Sequence, residues 1–383
     1  MEATATLAAA QLNSIRISGF TSLVDFELDN VPPAGLLIGV NGTGKTNLLK
    51  AFEMLSCGMR SVGLEGFAAR HGGADGLLHY GSETTPAIRG EIVLRTEHGF
   101  CEYSFTISHR PPDRLAFTEE ALRLRGEDKA IEGSWSASHD EGSNTSAVIE
   151  AMRSHELGDR TAGAAHAVAE FLRNSVVHRF RDTSARSGFR TGWDADDNAM
   201  LRADGWNLVA VLRRIEREDP ELYERICRGL SGVLPDFDRF DIACEGGTAL
   251  LRWKAKSSGR IFDGQDTSDG NLCVFALLTF LALRPTMLPG IILIDEVELG
   301  LHDRAMQRMC EMVASLSGEK QVLLSTQSLQ VMDRFCLDAF LLLSAKDGRT
   351  RLTRMSHDDY LPWLDRGYTT GDLWYKNVLG IYS

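Results

Sequence analysis

Gly35-Leu36-Leu37-Ile38-Gly39-Val40-Asn41-Gly42-Thr43-Gly44-Lys45-Thr46-Asn47-Leu48-Leu49 is the stretch on which the reading of this chain turns. Residues 35–40 form an apolar run of strand length. From Gly39 to Thr46 the chain fits the pattern GxxxxGK[ST]. From Lys45 to Ser56 the apolar residues Leu48, Leu49, Phe52 and Leu55 recur at helical spacing. Strand, glycine turn and helix in that order form a cradle for phosphate. Glycines let the backbone turn tightly and present its N–H groups. The helix start adds the positive end of its dipole. In this arrangement Lys45 reaches the β- and γ-phosphates and Thr46 ligates Mg²⁺.

A second constellation lies far downstream. Ile291-Ile292-Leu293-Ile294-Asp295-Glu296 reads as a buried parallel strand ending in two carboxylates, at the end of a sheet where α/β sites sit. Asp295 suits a magnesium ligand and Glu296 suits the group that orients or deprotonates the attacking water. Gly300-Leu301-His302 follows. Another strand, Val322 to Ser328, ends in polar residues, among them Gln327, which suits contact with a γ-phosphate.

The rest of the chain frames these two segments. Strands are expected around Ile15–Leu28 and hairpins over 88–126. A Gly/Ser/Glu/Asp-rich surface loop is expected over 127–147, helices over 146–174 and 206–233, and strands again over 238–262. The last third alternates: helix 269–284, strand 291–295, helix 303–316, strand 321–325, helix 328–337, strand 339–343. That alternation signals a parallel sheet with covering helices. The fold class is α/β.

Composition narrows the function. The chain has 383 residues, 43% hydrophobic and 25% charged, which is ordinary globular usage. Its net charge of −12 excludes a uniformly basic nucleic-acid-coating surface and leaves room for a local basic groove. The longest apolar run, Leu272 to Leu283, is too short for a bilayer, and the N-terminus has no basic signal-like region, so a cytoplasmic protein without a membrane segment is expected. Seven cysteines without a CxxC pair fit buried free thiols in a reducing compartment. No HxxxH or HExxH spacing and no GxSxG elbow occur, which argues against a catalytic zinc or that type of serine hydrolase.

Taken together the motifs resemble the ABC/SMC/RecF type of P-loop ATPase. The loop residues Gly39, Asn41, Gly42, Thr43, Gly44, Lys45, Thr46 and Asn47 resemble its Walker A. Thr267-Ser268-Asp269-Gly270-Asn271-Leu272 resembles the ABC signature, and Asp295-Glu296-x-Glu298-x-Gly300-Leu301-His302 resembles Walker B and the D-loop. Within that superfamily the chain is similar to the bacterial AAA_21-type ATPases. The similarity lies in His178-Arg179-Phe180-Arg181-Asp182-Thr183-Ser184, Asp204-Gly205-Trp206-Asn207-Leu208, Leu251-Arg252-Trp253 and the tail 371–380.

The resemblance implies a head with N-terminal antiparallel strands and a mixed sheet with flanking helices. Its parts would be 12–126 with Walker A, a mostly helical insertion over 127–237, and 238–383 with the signature, Walker B and switch segment. It implies ATP and Mg²⁺ as cofactors, with Thr46 and Asp295 on the metal and Glu296, Lys45 and Gln327 in catalysis. It also implies an ATP-sandwiched homodimer in which Ser268, Asp269 and Gly270 act on the partner's nucleotide. Hydrolysis would release such a dimer and gate a separately encoded effector, a nuclease for example, in a DNA transaction or anti-phage defence. An ATP-binding scaffold with negligible hydrolysis is the alternative, and the nucleotide-binding subunit of a transporter is a weaker one.

The chain departs from the pattern in several ways. Gln327 stands where such heads usually carry His, and Gln cannot hold a proton charge, so slow hydrolysis is expected. No glutamine lies between 48 and 110 for the usual Q-loop role, which leaves His71 or Asp75 as substitutes or the loop as incidental. No heptads separate the two halves of the head. The 55 or so residues after Gln327 are too few for a fused nuclease. A basic stretch of Arg173, His178, Arg179, Arg181, Arg186 and Arg190 has three readings: DNA phosphates, a partner protein, or internal pairing with Asp182, Asp194, Asp196 and Asp197.

Overall fold

The strand Ala34–Ile38 is buried from Gly35 onward. It runs parallel to Phe340–Lys346, with Leu36 opposite Phe340 and Ile38 opposite Leu342. Phe340–Lys346 in turn pairs antiparallel with Arg349–Arg354. The sheet at the phosphate loop is therefore mixed, and its parallel pair is a continuous apolar run, as burial on both faces requires. The computed structural model describes residues 10–97, 99–126 and 130–380. These group into two compact units. One comprises residues to 177 with 289–293 and 338–356, and the other comprises 178–288, 294–337 and the residues from 357.

In the first unit, six strands form an antiparallel sheet in the order Phe26–Asp29, Gln11–Ser18, Ala87–Thr96, Gly99–Arg110, Arg114–Arg125 and Ile131–Ser143. One row of side chains crosses it: Ile15 faces Ile92, Ile92 faces Tyr103, Tyr103 faces Leu122, and Leu122 faces Trp135. Such cross-strand neighbours on one face stabilise a sheet and set its register. The helices Lys45–Gly58 and Asp159–Arg173 bury Leu48, Leu49, Phe52 and Leu55, and Val168, Phe171 and Leu172, as the 3.6-residue period anticipates.

The strand Ile131–Ser143 corrects the expected surface loop over 127–147; residues 127–129 lie outside the described residues. It is the last strand in the sheet order and is mostly exposed, so its serines and acids need no apolar face. Backbone pairing with Arg114–Arg125 holds it, which is how tertiary context overrides weak strand propensity. The three-part division 12–126, 127–237 and 238–383 does not follow the compact units. Asp159–Arg173 packs in the first, and Leu208–Glu218 and Pro220–Val233 pack in the second.

The second unit is helical around an aromatic cluster. Phe237 and Phe240 of one short strand and Trp253 of its antiparallel neighbour surround Phe275, with ring centres 5.1–6.1 Å from it. Phe275 sits on the helix Asp269–Ala282, which buries ten of its residues. The helix Asp303–Leu316 packs against this helix and against the strand Gln321–Thr326, every residue of which is buried. The helix expected over 328–337 is shorter, Leu329–Met332. Just past its end the Asp333 carboxylate accepts the backbone N–H of Gly371 at 2.6 Å, which ties it to the C-terminal segment.

Candidate functional site

The phosphate loop lies in the first unit. Gly42 (φ +84°) and Gly44 (φ +102°) occupy the left-handed region that residues with a Cβ avoid. At Gly44 packing adds a second constraint, since a Cβ there would lie 2.0 Å from Thr350 Oγ1. At Gly42 a Cβ would meet nothing within 4 Å, so the mouth of the loop is open. Lys45 is buried and donates to the carbonyl oxygens of Gly39 (2.5 Å) and Val40 (3.1 Å), while the Thr43 hydroxyl donates to Val40 O at 2.9 Å. The loop thus wraps its own lysine. Asn41, Gly42 and Thr46 are exposed.

The helix that follows, Lys45–Gly58, has no side-chain cap and no acidic residue in its first turn. Its orphan N–H groups and dipole are left for an anion. The open mouth, the uncapped helix start and Lys45 fit a phosphate group, and the exposed Thr46 hydroxyl fits a magnesium ligand. Asn47, expected at the nucleotide, donates instead to Ser22 Oγ at 2.8 Å, and Ser22 shares a 2.7 Å hydrogen bond with Thr350. It ties the loop's helix to the Arg349–Arg354 strand.

The acidic strand end lies in the second unit. Asp295 is buried, and its backbone N–H donates to His178 O at 3.1 Å. Ser325 Oγ donates to Asp295 Oδ1 at 2.6 Å and Arg179 Nε donates to Oδ2 at 3.1 Å. Glu296 adopts φ +53°, unusual for a residue with a side chain. Its N–H donates to Ser325 Oγ at 2.7 Å, and its carboxylate is ion-paired with Arg181. Glu298 accepts the N–H of Gln327 at 2.8 Å, which joins the segment after the acids to the switch segment, where Gln327 is exposed. A carboxylate pair of this kind can hold a hard cation and polarise a water.

The signature-like segment is in the same unit. Ser268 caps the helix Asp269–Ala282, its hydroxyl accepting the Asn271 N–H. Gly270 lies close to Gly300, since a Cβ on Gly270 would be 3.1 Å from Gly300 O. The exposed carboxylate of Asp269 accepts Thr183 Oγ1 (2.7 Å) and Arg190 Nη2 (2.6 Å), and these donors hold it below the usual carboxylate range.

Two groups of site residues were not anticipated from the sequence. Ser325 stood in a strand noted only for its polar end. Arg179, Arg181 and Arg190 lie in the basic stretch, for which internal pairing with Asp182, Asp194, Asp196 and Asp197 is one of three readings from the sequence. Their partners are Asp295, Glu296 and Asp269. His71 and Asp75, weighed for the Q-loop role, are engaged locally: His71 Nδ1 lies 2.9 Å from Phe67 O, and Asp75 accepts the N–H and hydroxyl of Ser82. Asp358 and Asp359 open the helix His357–Leu364.

Comparison with known proteins gives a family and a fold. The model of the AAA_21 family, described as "AAA domain, putative AbiEii toxin, Type IV TA system", matches residues 36–333. No curated protein matches the sequence. Among solved structures, an Smc head bound to the C-terminal winged-helix domain of ScpA aligns with a TM-score of 0.59 at 14% identity, covering 91% of this chain and 99% of that one. A Pyrococcus furiosus Smc head with an extended coiled coil, also bound to a ScpA domain, aligns at 0.57 and 12%, covering 93% and 99%. A Pyrococcus yayanosii Smc head aligns at 0.54 and 12%, covering 94% and 99%. Among the described residues no helix is long and apolar enough to cross a membrane. The family model covers most of the chain, so the chain belongs to the AAA_21 family, and its fold is that of an SMC head.

Proposed function

We propose that this protein is a slow, Mg²⁺-dependent ATPase that works as a dimerisation switch. The observation that carries this reading is the phosphate loop: an open glycine turn around a buried lysine, followed by a 14-residue helix with an uncapped, acid-free first turn. Lys45 leaves the Gly39 and Val40 carbonyls for the β- and γ-phosphates, exchanging two neutral acceptors for charged ones. The N–H groups of the loop receive phosphate oxygens. Thr46 of the first unit and Asp295 of the second are the residues that would ligate a magnesium ion, which when bound would supply positive charge to the phosphates. Glu296 orients the attacking water and takes its proton. Gln327 donates a hydrogen bond to the γ-phosphate without contributing charge, which fits slow turnover.

Ser268, Asp269 and Gly270 would act on the nucleotide of a second copy, so ATP joins two heads and hydrolysis releases them. The ScpA-bound heads among the structural relatives support a head that also docks a protein partner. For this chain we assign that role to a separately encoded effector of a DNA transaction or anti-phage defence, in the cytoplasm, with DNA as a candidate partner.

The test is ATP hydrolysis per protomer as a function of protein concentration, with Lys45→Ala as the blank. A specific rate that climbs with concentration and vanishes in the variant is expected. A rate independent of concentration would remove the composite dimer site. ATP binding without any rate above the blank would favour the scaffold reading.

A further inference from the structure

Arg179 and Arg181 belong to one segment whose backbone is held at several points. His178 O accepts the Asp295 N–H, and Asp182 O accepts the indole N–H of Trp206 at 3.2 Å. Arg190 Nε donates to Thr183 O at 2.7 Å while its other nitrogens reach Asp269 and Gly264 O. On this fixed backbone the two guanidinium groups differ. In the Arg179–Asp295 pair the side chains are 23% and 3% exposed; in the Arg181–Glu296 pair they are 48% and 34% exposed. The first pair is part of the interior. The second is open to water, and an exposed ion pair favours its closed geometry by about fivefold at most. Arg181 can therefore leave Glu296 by a side-chain rotation while the segment stays in place.

Asp295 and Glu296 are adjacent carboxylates, and among the described residues each is ion-paired with one of these two guanidinium groups. A divalent cation at Asp295 would bring two further positive charges beside Arg181. We propose that Arg181 is a positioning residue that competes with the divalent cation for the acidic strand end and holds Glu296 back until that cation is bound. The inference rests on the ATPase reading above for the role of Glu296. The competition with metal rests on the charges alone. It also supplies a physical reason for slow turnover at limiting Mg²⁺ that is independent of Gln327.

The test uses Arg181→Ala and Arg181→Lys in the full chain, with two measurements. The first is binding of Mn²⁺ alone, followed by electron paramagnetic resonance. The second is steady-state ATP hydrolysis. Arg181→Ala should bind Mn²⁺ several-fold more tightly and reach half its full hydrolysis rate at a several-fold lower Mg²⁺ concentration, by up to about fivefold, with KM for ATP unchanged within twofold. Arg181→Lys, which keeps a cation beside Glu296, should restore values near those of the parent. A second copy of the comparison in the Glu296→Gln background should show the Mn²⁺ effect of Arg181→Ala largely removed. Unchanged Mn²⁺ affinity in a folded Arg181→Ala protein, or a fall in kcat, would overturn the proposal. Tighter Mn²⁺ binding with no hydrolysis in any variant would uphold the competition and overturn the ATPase reading instead.

Discussion

Ser325 Oγ lies 2.6 Å from Asp295 Oδ1 and 2.7 Å from the backbone nitrogen of Glu296, donating to the first and accepting from the second. One buried hydroxyl thus sets both acids. Ser325 is wholly buried and Asp295 nearly so, so water cannot replace the bond. Ser325→Ala should cost about 1–3 kcal/mol, the range for leaving a buried polar partner unpaired. It should also lower ATP turnover by more than it lowers ATP affinity. Chemical denaturation and a kcat against KM comparison check the two parts. Unaltered turnover would show that Ser325 does not orient the acids.

Gly42 and Gly44 separate backbone strain from packing. Both have left-handed φ, which costs a residue with a Cβ about 1–2 kcal/mol. Only Gly44 also has Thr350 against the position of a Cβ. Gly44→Ala should therefore lower the unfolding midpoint clearly more than Gly42→Ala, and both should weaken nucleotide binding. Equal midpoints would mean that Thr350 yields freely.

Glu120 gives a stability test with a defined sign. It is buried and accepts Tyr103 OH (2.6 Å), the Ser146 hydroxyl (2.5 Å) and the Ala147 N–H (2.7 Å). Burial raises its pKa above the ordinary 4.5, outweighing the three donors that favour the charged form. Above pH 4.5 and up to the raised value the folded protein holds a proton that the unfolded chain has lost. Its contribution is therefore full below about pH 4.5 and is lost as pH rises through the folded value. Glu120→Gln removes this loss, so the variant should gain ground on the parent between pH 5 and pH 8 in urea unfolding. A variant that loses ground over that range would show an ionised Glu120 held by its donors.

The cysteines offer a check of the packing. All seven are free; Cys244 and Cys336 are exposed, and Cys101, Cys227, Cys273 and Cys310 are buried. Burial pushes Cys101, Cys273 and Cys310 up to about 11, so they carry little thiolate near neutral pH. A thiol reagent at pH 8 should label Cys244 and Cys336 rapidly and the four buried residues only on unfolding. Rapid labelling of Cys273 would mean that the helix Asp269–Ala282 opens from its neighbours.

What the sequence determined by itself was local. The strand, turn and helix of the phosphate loop are contiguous, so residues 35–56 announce both the element order and the chemistry. The same holds for the helix opening at Ser268 and the strand ending at Asp295, where capping and apolar runs act over a few residues. Tertiary structure alone decided the rest. The strand Ile131–Ser143 exists because a neighbouring strand supplies its hydrogen bonds, which composition does not record. Arg179 and Asp295 are 116 residues apart, and Arg181 and Glu296 are 115 apart. A run of arginines announces a need for counter-charge, but which carboxylates answer it depends on what the folded chain brings within hydrogen-bond reach. Here the nearest acids in sequence were passed over for the three that line the candidate site.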